Sequence, residues 1–203
     1  MGKRESAPQV NAGSMADIAF LLLIFFLVTT TIETDAGLNR MLPRDDGEII
    51  EYEQRNILSV LIDDKSQLLI NEKLVSAEDL KKLAIEFIDN GGASTEEDFC
   101  DYCRGGKIDT SSDNPQKAVI VLTTQRKTSY GTYIAVQNEL VSGYNVLRNR
   151  EANRLFNMDY TLMEEQYRNQ QTAMAEREIL GQRIKTIQKM FPLNISEAEL
   201  ENQ

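Results

Sequence analysis

Ser14–Ile32, SMADIAFLLLIFFLVTTTI, decides how the rest of this chain is read. Its centre, Ile18–Val28, is eleven consecutive apolar residues, too few alone to cross a bilayer. Met15–Ile32 gives 18 residues. At a rise of ~1.5 Å per residue that helix is ~27 Å long, close to the ~30 Å hydrocarbon core. The stretch therefore predicts one spanning helix with a single carboxylate, Asp17, inside it. A charge in a spanning segment costs roughly 2.5–3.5 kcal/mol on insertion scales, so an intramembrane Asp is by default a functional residue. Two readings of Asp17 stand side by side. It caps the helix at headgroup level, or it is a proton-titrating carboxylate enclosed by partner helices. One helix cannot enclose a proton path, so the second reading demands partner chains.

The flanks set the orientation. Lys3 and Arg4 precede the span and Glu33 and Asp35 follow it, which places the N-terminus in the cytoplasm and everything after Ile32 outside. A cleaved signal peptide is the competitor for the segment. The Asp inside the apolar run, its length, and the poor cleavage site TTTIETDAG argue for an uncleaved anchor in the lipid bilayer.

Composition removes several classes of function. The net charge of −10 and pI near 4.7 lack the basic patches that nucleic acid requires, so no nucleic-acid partner is expected. Histidine is absent, which excludes His-based catalysis and His metal sites. No nucleophile–base constellation or metal cluster is visible, and the chain is not expected to be an enzyme or to hold a cofactor.

Residues 1–13 form a short polar tail, and 14–32 the span. Residues 33–55 are charged and contain Pro43, a linker. NILSVLID (Asn56–Asp63) and QLLINEK (Gln67–Lys73) read as a hairpin. Ser76 N-caps a helix over Ala77–Asn90 whose apolar face is Leu80, Leu83, Ala84 and Phe87, with Gly91 as its stop. Gly91–Gln116 is a long loop, and KAVIVLTT (Lys117–Thr124) a continuous strand of the kind buried on both faces. A helix from about Tyr130 carries Tyr133, Ile134, Gln137, Leu140, Val141 and Tyr144 on one stripe and runs toward Phe156. Tyr160–Lys189 reads as a charged helix with a thin stripe of Leu162, Met163, Tyr167, Met174, Ile179 and Ile184. Pro192 ends it, and the acidic tail SEAELENQ is expected to fray. The fold class is α+β: a transmembrane helix, a ββαβα domain over residues 56–157, and a helical C-terminal extension over 158–203.

A short tail, one span with an Asp near its start, a Pro-containing linker and a small α+β exterior domain together resemble the ExbD/TolR family of proton-motive-force transducers. The closest match is Val10-Asn11 through Asp17 and on into Phe25-Phe26-Leu27-Val28-Thr29. The family carries aliphatic-Asn-x-Thr-Pro-x-x-Asp there. Asn11 and Asp17 keep that spacing, while Gly13-Ser14 replace Thr-Pro. Leu42-Pro43 matches the family's Leu-Pro linker motif, whose aliphatic alternation Leu38 satisfies and Arg40 breaks. The resemblance implies a homodimer whose two spans sit in the pore of a pentameric ExbB/TolQ-like channel. Asp17 would carry the translocated proton, and the Leu38–Leu42–Pro43 linker and periplasmic domain would act on a TonB-like transducer. The implied location is a Gram-negative inner membrane, crossed once, with the C-terminal domain periplasmic. TonB-linked uptake, Tol-type envelope maintenance and a non-conducting envelope-binding scaffold are the alternatives within this frame.

Leu21, Ile24, Val28 and Thr31 share the helical stripe of Asp17 and are expected to face the pore or the dimer partner. Cys100-Asp101-Tyr102-Cys103 lies in the long loop, away from the strand-to-helix context of a redox pair. Alone it offers two of the four ligands zinc prefers, so an intersubunit site would need two more from a partner. In an oxidising compartment a local disulfide fits it best.

The charge asymmetry around the span generates a topology test. With an impermeant thiol reagent applied to intact cells, a cysteine placed at Gly37 should be labelled and one at Ser6 protected. The reverse pattern would overturn the orientation.

Overall fold

In a computed structural model of the chain, residues 12–29, 53–71 and 73–199 are described. The chain divides into two compact units, Met1–Arg44 and Asp45–Gln203. The first contributes one helix, α1 (Ala12–Thr29). Among the described residues no helix is long and apolar enough to cross a membrane. The expected span over 14–32 extends past α1 into residues outside the described set.

The second unit is a five-stranded sheet with helices. A 3₁₀ turn at Gln54–Asn56 leads into β1 (Ile57–Ile62), followed by β2 (Leu68–Ile70), β3 (Lys73–Val75), α2 (Ala77–Ile88), β4 (Val119–Thr124), α3 (Tyr130–Phe156), α4 (Tyr160–Arg168), α5 (Met174–Met190) and β5 (Ile195–Glu199). The strand order is β3-β2-β1-β4-β5. β1 runs parallel to β4 and β4 to β5, while β2 is antiparallel to both β1 and β3.

Alternation along the strands selects the core face. Leu58, Val60 and Ile62 of β1 and Ile120 and Leu122 of β4 are buried against Leu80, Ala84, Phe87 and Ile88 of α2 and Val136, Leu140, Tyr144 and Leu147 of α3. Each such side chain contributes about 1.5–3 kcal/mol on burial. Helix α2 starts where the sequence predicts, with the Ser76 hydroxyl accepting from the Asp79 amide at 3.2 Å. It stops two residues earlier than expected, and Gly91 follows at φ 66°.

Three elements depart from the sequence reading. The run Gln67–Lys73 is not one strand: the chain reverses after Ile70, with Asn71 at φ 47°, so Lys73 pairs back onto Ile70. Asparagine tolerates the left-handed region, and this turn lacks the glycine that usually signals it. The charged helix over Tyr160–Lys189 is two helices, because Asn169 and Thr172 bond locally: the Gln171 amide donates to Asn169 Oδ1 at 2.9 Å and Thr172 Oγ1 to the Gln166 carbonyl at 2.7 Å. Their buried face is Tyr160, Met163, Leu180, Ile184 and Ile187. Leu162, Tyr167, Met174 and Ile179 of the expected stripe are exposed.

The largest correction is the tail. Residues 195–199 do not fray and the C-terminal extension is not wholly helical, because β5 adds to the sheet edge alongside β4. Ile-Ser-Glu-Ala-Glu has little intrinsic preference for strand. Tertiary contacts supply it: Ile195 packs on the core, and Tyr133 and Gln137 of α3 both donate to the Glu197 carboxylate.

Two tyrosines, half-buried Tyr102 and buried Tyr160, bond within and onto the extension. Tyr102 donates to the Met190 carbonyl at 2.9 Å, and Tyr160 to Glu164 Oε1 at 2.7 Å. Burial pushes each of these phenols up to about 12, against a free value of ~10. The neutral form is thus favoured in the fold. Stability is complete below pH ~10 and is lost as pH climbs from ~10 toward ~12. Alkaline titration followed by circular dichroism should show that loss, and Tyr102→Phe with Tyr160→Phe should shift it to higher pH. A transition unmoved by both substitutions would contradict the linkage.

Candidate functional site

Helix α1 is apolar on every face. Met15, Ile18, Phe20, Leu21, Leu22, Leu23, Ile24, Phe25 and Phe26 are all 40–61% exposed. Asp17 is the one charged residue in this helix. At ~100° per residue, Leu21 and Ile24 fall within ~40° of Asp17 around the axis, so the structure places these three on one stripe. Val28 lies within α1 with its side chain outside the described set, and Thr31, Leu38, Leu42 and Pro43 are outside the described residues. A helix apolar all round is one that lipid or other protein covers.

In the second unit the long loop between α2 and β4 is built, not slack. Cys100 and Cys103 form a disulfide. Gly91 packs so closely that a Cβ there would lie 2.8 Å from the Cys103 Cβ, and its φ of 66° independently calls for glycine. Asn90 staples the loop through both amide groups. Its Nδ2 donates to the carbonyls of Ile108 at 2.8 Å and Ser112 at 2.7 Å, and its Oδ1 accepts from the Ile108 amide at 3.0 Å.

Charges then lock the loop to the sheet. Asp113, 1% exposed, faces Arg55, accepts from Asn56 Nδ2 at 2.9 Å, and lies 3.8 Å from Lys117. Lys117 also donates to Asp98 at 2.7 Å. That bond, aided by Thr95 and opposed by burial, holds the Asp98 carboxyl below its ordinary value. Buried charges paired this way are expensive to break because one partner would be left uncompensated. Sequence reasoning missed this cluster, since Arg55, Asp98 and Asp113 are brought together only by the loop's path.

Above Arg55 the sheet carries a half-open cavity of about 860 Å³, lined among others by Ile57, Ser59, Leu61, Leu69, Asn71, Thr110 and Ser111. One signal could have found it. ILSVLI of β1 is apolar at every position but Ser59, a pattern of strands covered on both faces, so a second apolar face needing cover was written into β1.

Among the described residues no group of His, Cys, Asp or Glu could hold a metal ion, and no cysteine is free. What the geometry defines is a two-part protein. One part is an apolar helix carrying a single carboxylate, and the other a separate α+β unit with an uncovered groove. Residues 3–148 match the family described as Biopolymer transport protein ExbD/TolR. The match covers most of the chain, and the chain belongs to the ExbD/TolR family, whose members are biopolymer-transport and envelope-motor subunits and not enzymes. The matched region includes Asp17 and ends within α3, so α4, α5 and β5 lie beyond it. No curated protein matches the chain.

Proposed function

We propose that this chain is the proton-coupled subunit of an inner-membrane motor, with Asp17 as the carboxylate that takes up and releases the translocated proton. The observation that carries this reading is the lone carboxylate of α1, on one stripe with Leu21 and Ile24 in a helix whose large side chains are all apolar. Family membership supports the class of function.

The mechanism follows from electrostatics. The segment 14–32 spans the membrane once, with the N-terminus cytoplasmic and the second unit periplasmic. Two copies place their spans inside a pentameric ExbB/TolQ-like channel. Two carboxylates facing each other in a narrow apolar pore do not both stay ionised cheaply, so protonation alternates between them. A charged Asp17 seeks polar or hydrated surroundings, and a neutral one tolerates apolar contact. Each protonation therefore changes which channel surface the span prefers. The linker with Leu38, Leu42 and Pro43 passes that displacement to the periplasmic unit, which acts on a TonB-like transducer to energise outer-membrane transport.

Asp17→Asn tests this. Asparagine keeps the size and the hydrogen-bonding capacity and cannot carry the charge. Loss of a charge eases insertion, so the variant should be made, inserted and co-purified with its channel partner at wild-type levels. Energy-dependent uptake should fall to that of cells lacking the chain. A helix-capping Asp predicts the opposite, because Asn caps about as well. Full uptake by an assembled Asp17→Asn complex would rule out the proton carrier.

A further inference from the structure

The Cys100–Cys103 disulfide closes a very short ring, with Tyr102 inside it. Closing so short a ring removes less freedom from the unfolded chain than closing a long loop, so the bond is a poor staple for the unit as a whole. What it fixes is local. Between Asp98 and Gly105 the polar bonds of the loop to the helices run through Tyr102. Its hydroxyl donates to the Met190 carbonyl at the end of α5 at 2.9 Å and accepts from Gln116 Nε2 at 2.7 Å. Its carbonyl accepts from Arg150 of α3 at 3.2 Å, and its ring meets the Phe191 ring edge-on at 5.4 Å.

The ring is seated on the end of α2. Cys100 and Cys103 are buried. The Gly105 amide donates to the Asp89 carbonyl at 2.9 Å, and Asp89 pairs with Arg150. The end of α2, the disulfide, Tyr102 and the end of α5 are therefore one continuous run of contacts. Without the bond two sulfurs must separate from bond length to contact distance. Gly91, packed against Cys103, leaves no room on its side. The ring then shifts, and Tyr102 shifts with it.

We propose that the Cys100–Cys103 bond is a clasp for the C-terminal extension, so that the last turn of α5 and β5 are docked only in the oxidised chain. Closing the clasp takes two thiols to a disulfide. Their two protons and two electrons pass to a partner disulfide, which becomes a dithiol, and a dithiol reverses the step.

The path of the chain sets what an open clasp releases. Phe191 loses the Tyr102 ring and Met190 loses its hydroxyl bond. Only Pro192, Leu193 and Asn194 separate Phe191 from β5, whose sequence has little strand preference of its own. Undocking β5 leaves β4 with an unpaired edge on that side. Helices α4 and α5 and strand β5 lie beyond the matched residues 3–148, so the clasp acts on a segment outside the family match. It does not involve Asp17 and stands or falls separately from the proton-carrier reading.

The test is amide hydrogen exchange on the full chain, read segment by segment. In a chain carrying both Cys100→Ser and Cys103→Ser, the amides of β5 and of the last turn of α5 should exchange about tenfold faster than in the oxidised parent. Those of β1, in the middle of the sheet, should keep their protection. Tyr102→Ala, which leaves the disulfide in place and removes the side chain through which it acts, should give the same pattern. Unchanged exchange in β5 in either variant would overturn the proposal. An increase of equal size in β1 would overturn it as well, because the bond would then be a staple of the whole unit.

Discussion

The second unit is held together by what happens at one residue, Phe191. Its side chain is fully buried in the main core, and its carbonyl accepts two bonds from Arg148 of α3, at 3.0 and 2.7 Å. The Tyr102 ring, set between the two half-cystines, meets the Phe191 ring edge-on at 5.4 Å. Arg150 lies over the same ring, bonds Asp89 at the end of α2, and donates to the Tyr102 carbonyl at 3.2 Å. Helix α3, the disulfide loop and the C-terminal extension thus converge on one point. Arg148 can serve there because its charge is compensated by a carbonyl and by the Tyr144 and Tyr160 rings, at 5.7 and 5.2 Å. From this point the chain has only Pro192, Leu193 and Asn194 to cross before β5. Asn194 fixes the entry by donating to the carbonyls of Gln116 and Ala118.

That convergence explains which parts of the fold the sequence discloses. β1, α2, β4 and α3 are legible because each carries a complete local signal: the apolar run ILSVLI, the Ser76 cap, the apolar run before Thr124, and the stripe from Tyr133 to Leu147. β5 is not legible, since ISEAE becomes a strand only when β4, Tyr133, Gln137 and the Phe191 anchor are already in place. Helices α4 and α5 mislead for a related reason. Their exposed side includes Leu162 and Ile179, and their buried side is chosen by packing against the Ala152 turn of α3, which periodicity over a charged segment cannot distinguish. Asp17 stands out in the sequence because a carboxylate in an apolar run is rare, while its role is left between a helix cap and a proton carrier. The groove is half legible: β1 announces a second apolar face, but Arg55, Asn71 and Ser111 come from segments that only the sheet register and the loop bring together.

The two units answer different physical demands. α1 presents one carboxylate, Asp17, on a helix whose other described side chains are almost all apolar and exposed. The second unit has its charges paired, as with Asp113 beside Arg55, Asp89 beside Arg150, and buried Glu151 between Arg150 and Arg154 at 3.1 and 2.6 Å. These pairs hold the loop between α2 and β4 and the last turns of α3 in place.

The most direct measurement of this account is proton flux itself. The chain, co-purified with its channel partner, is reconstituted into liposomes loaded with a pH-sensitive dye, and a pH gradient is imposed. The account predicts acidification of the lumen with wild-type protein and only the leak of empty liposomes with Asp17→Asn, at equal protein incorporation. Equal flux through the two complexes would contradict it.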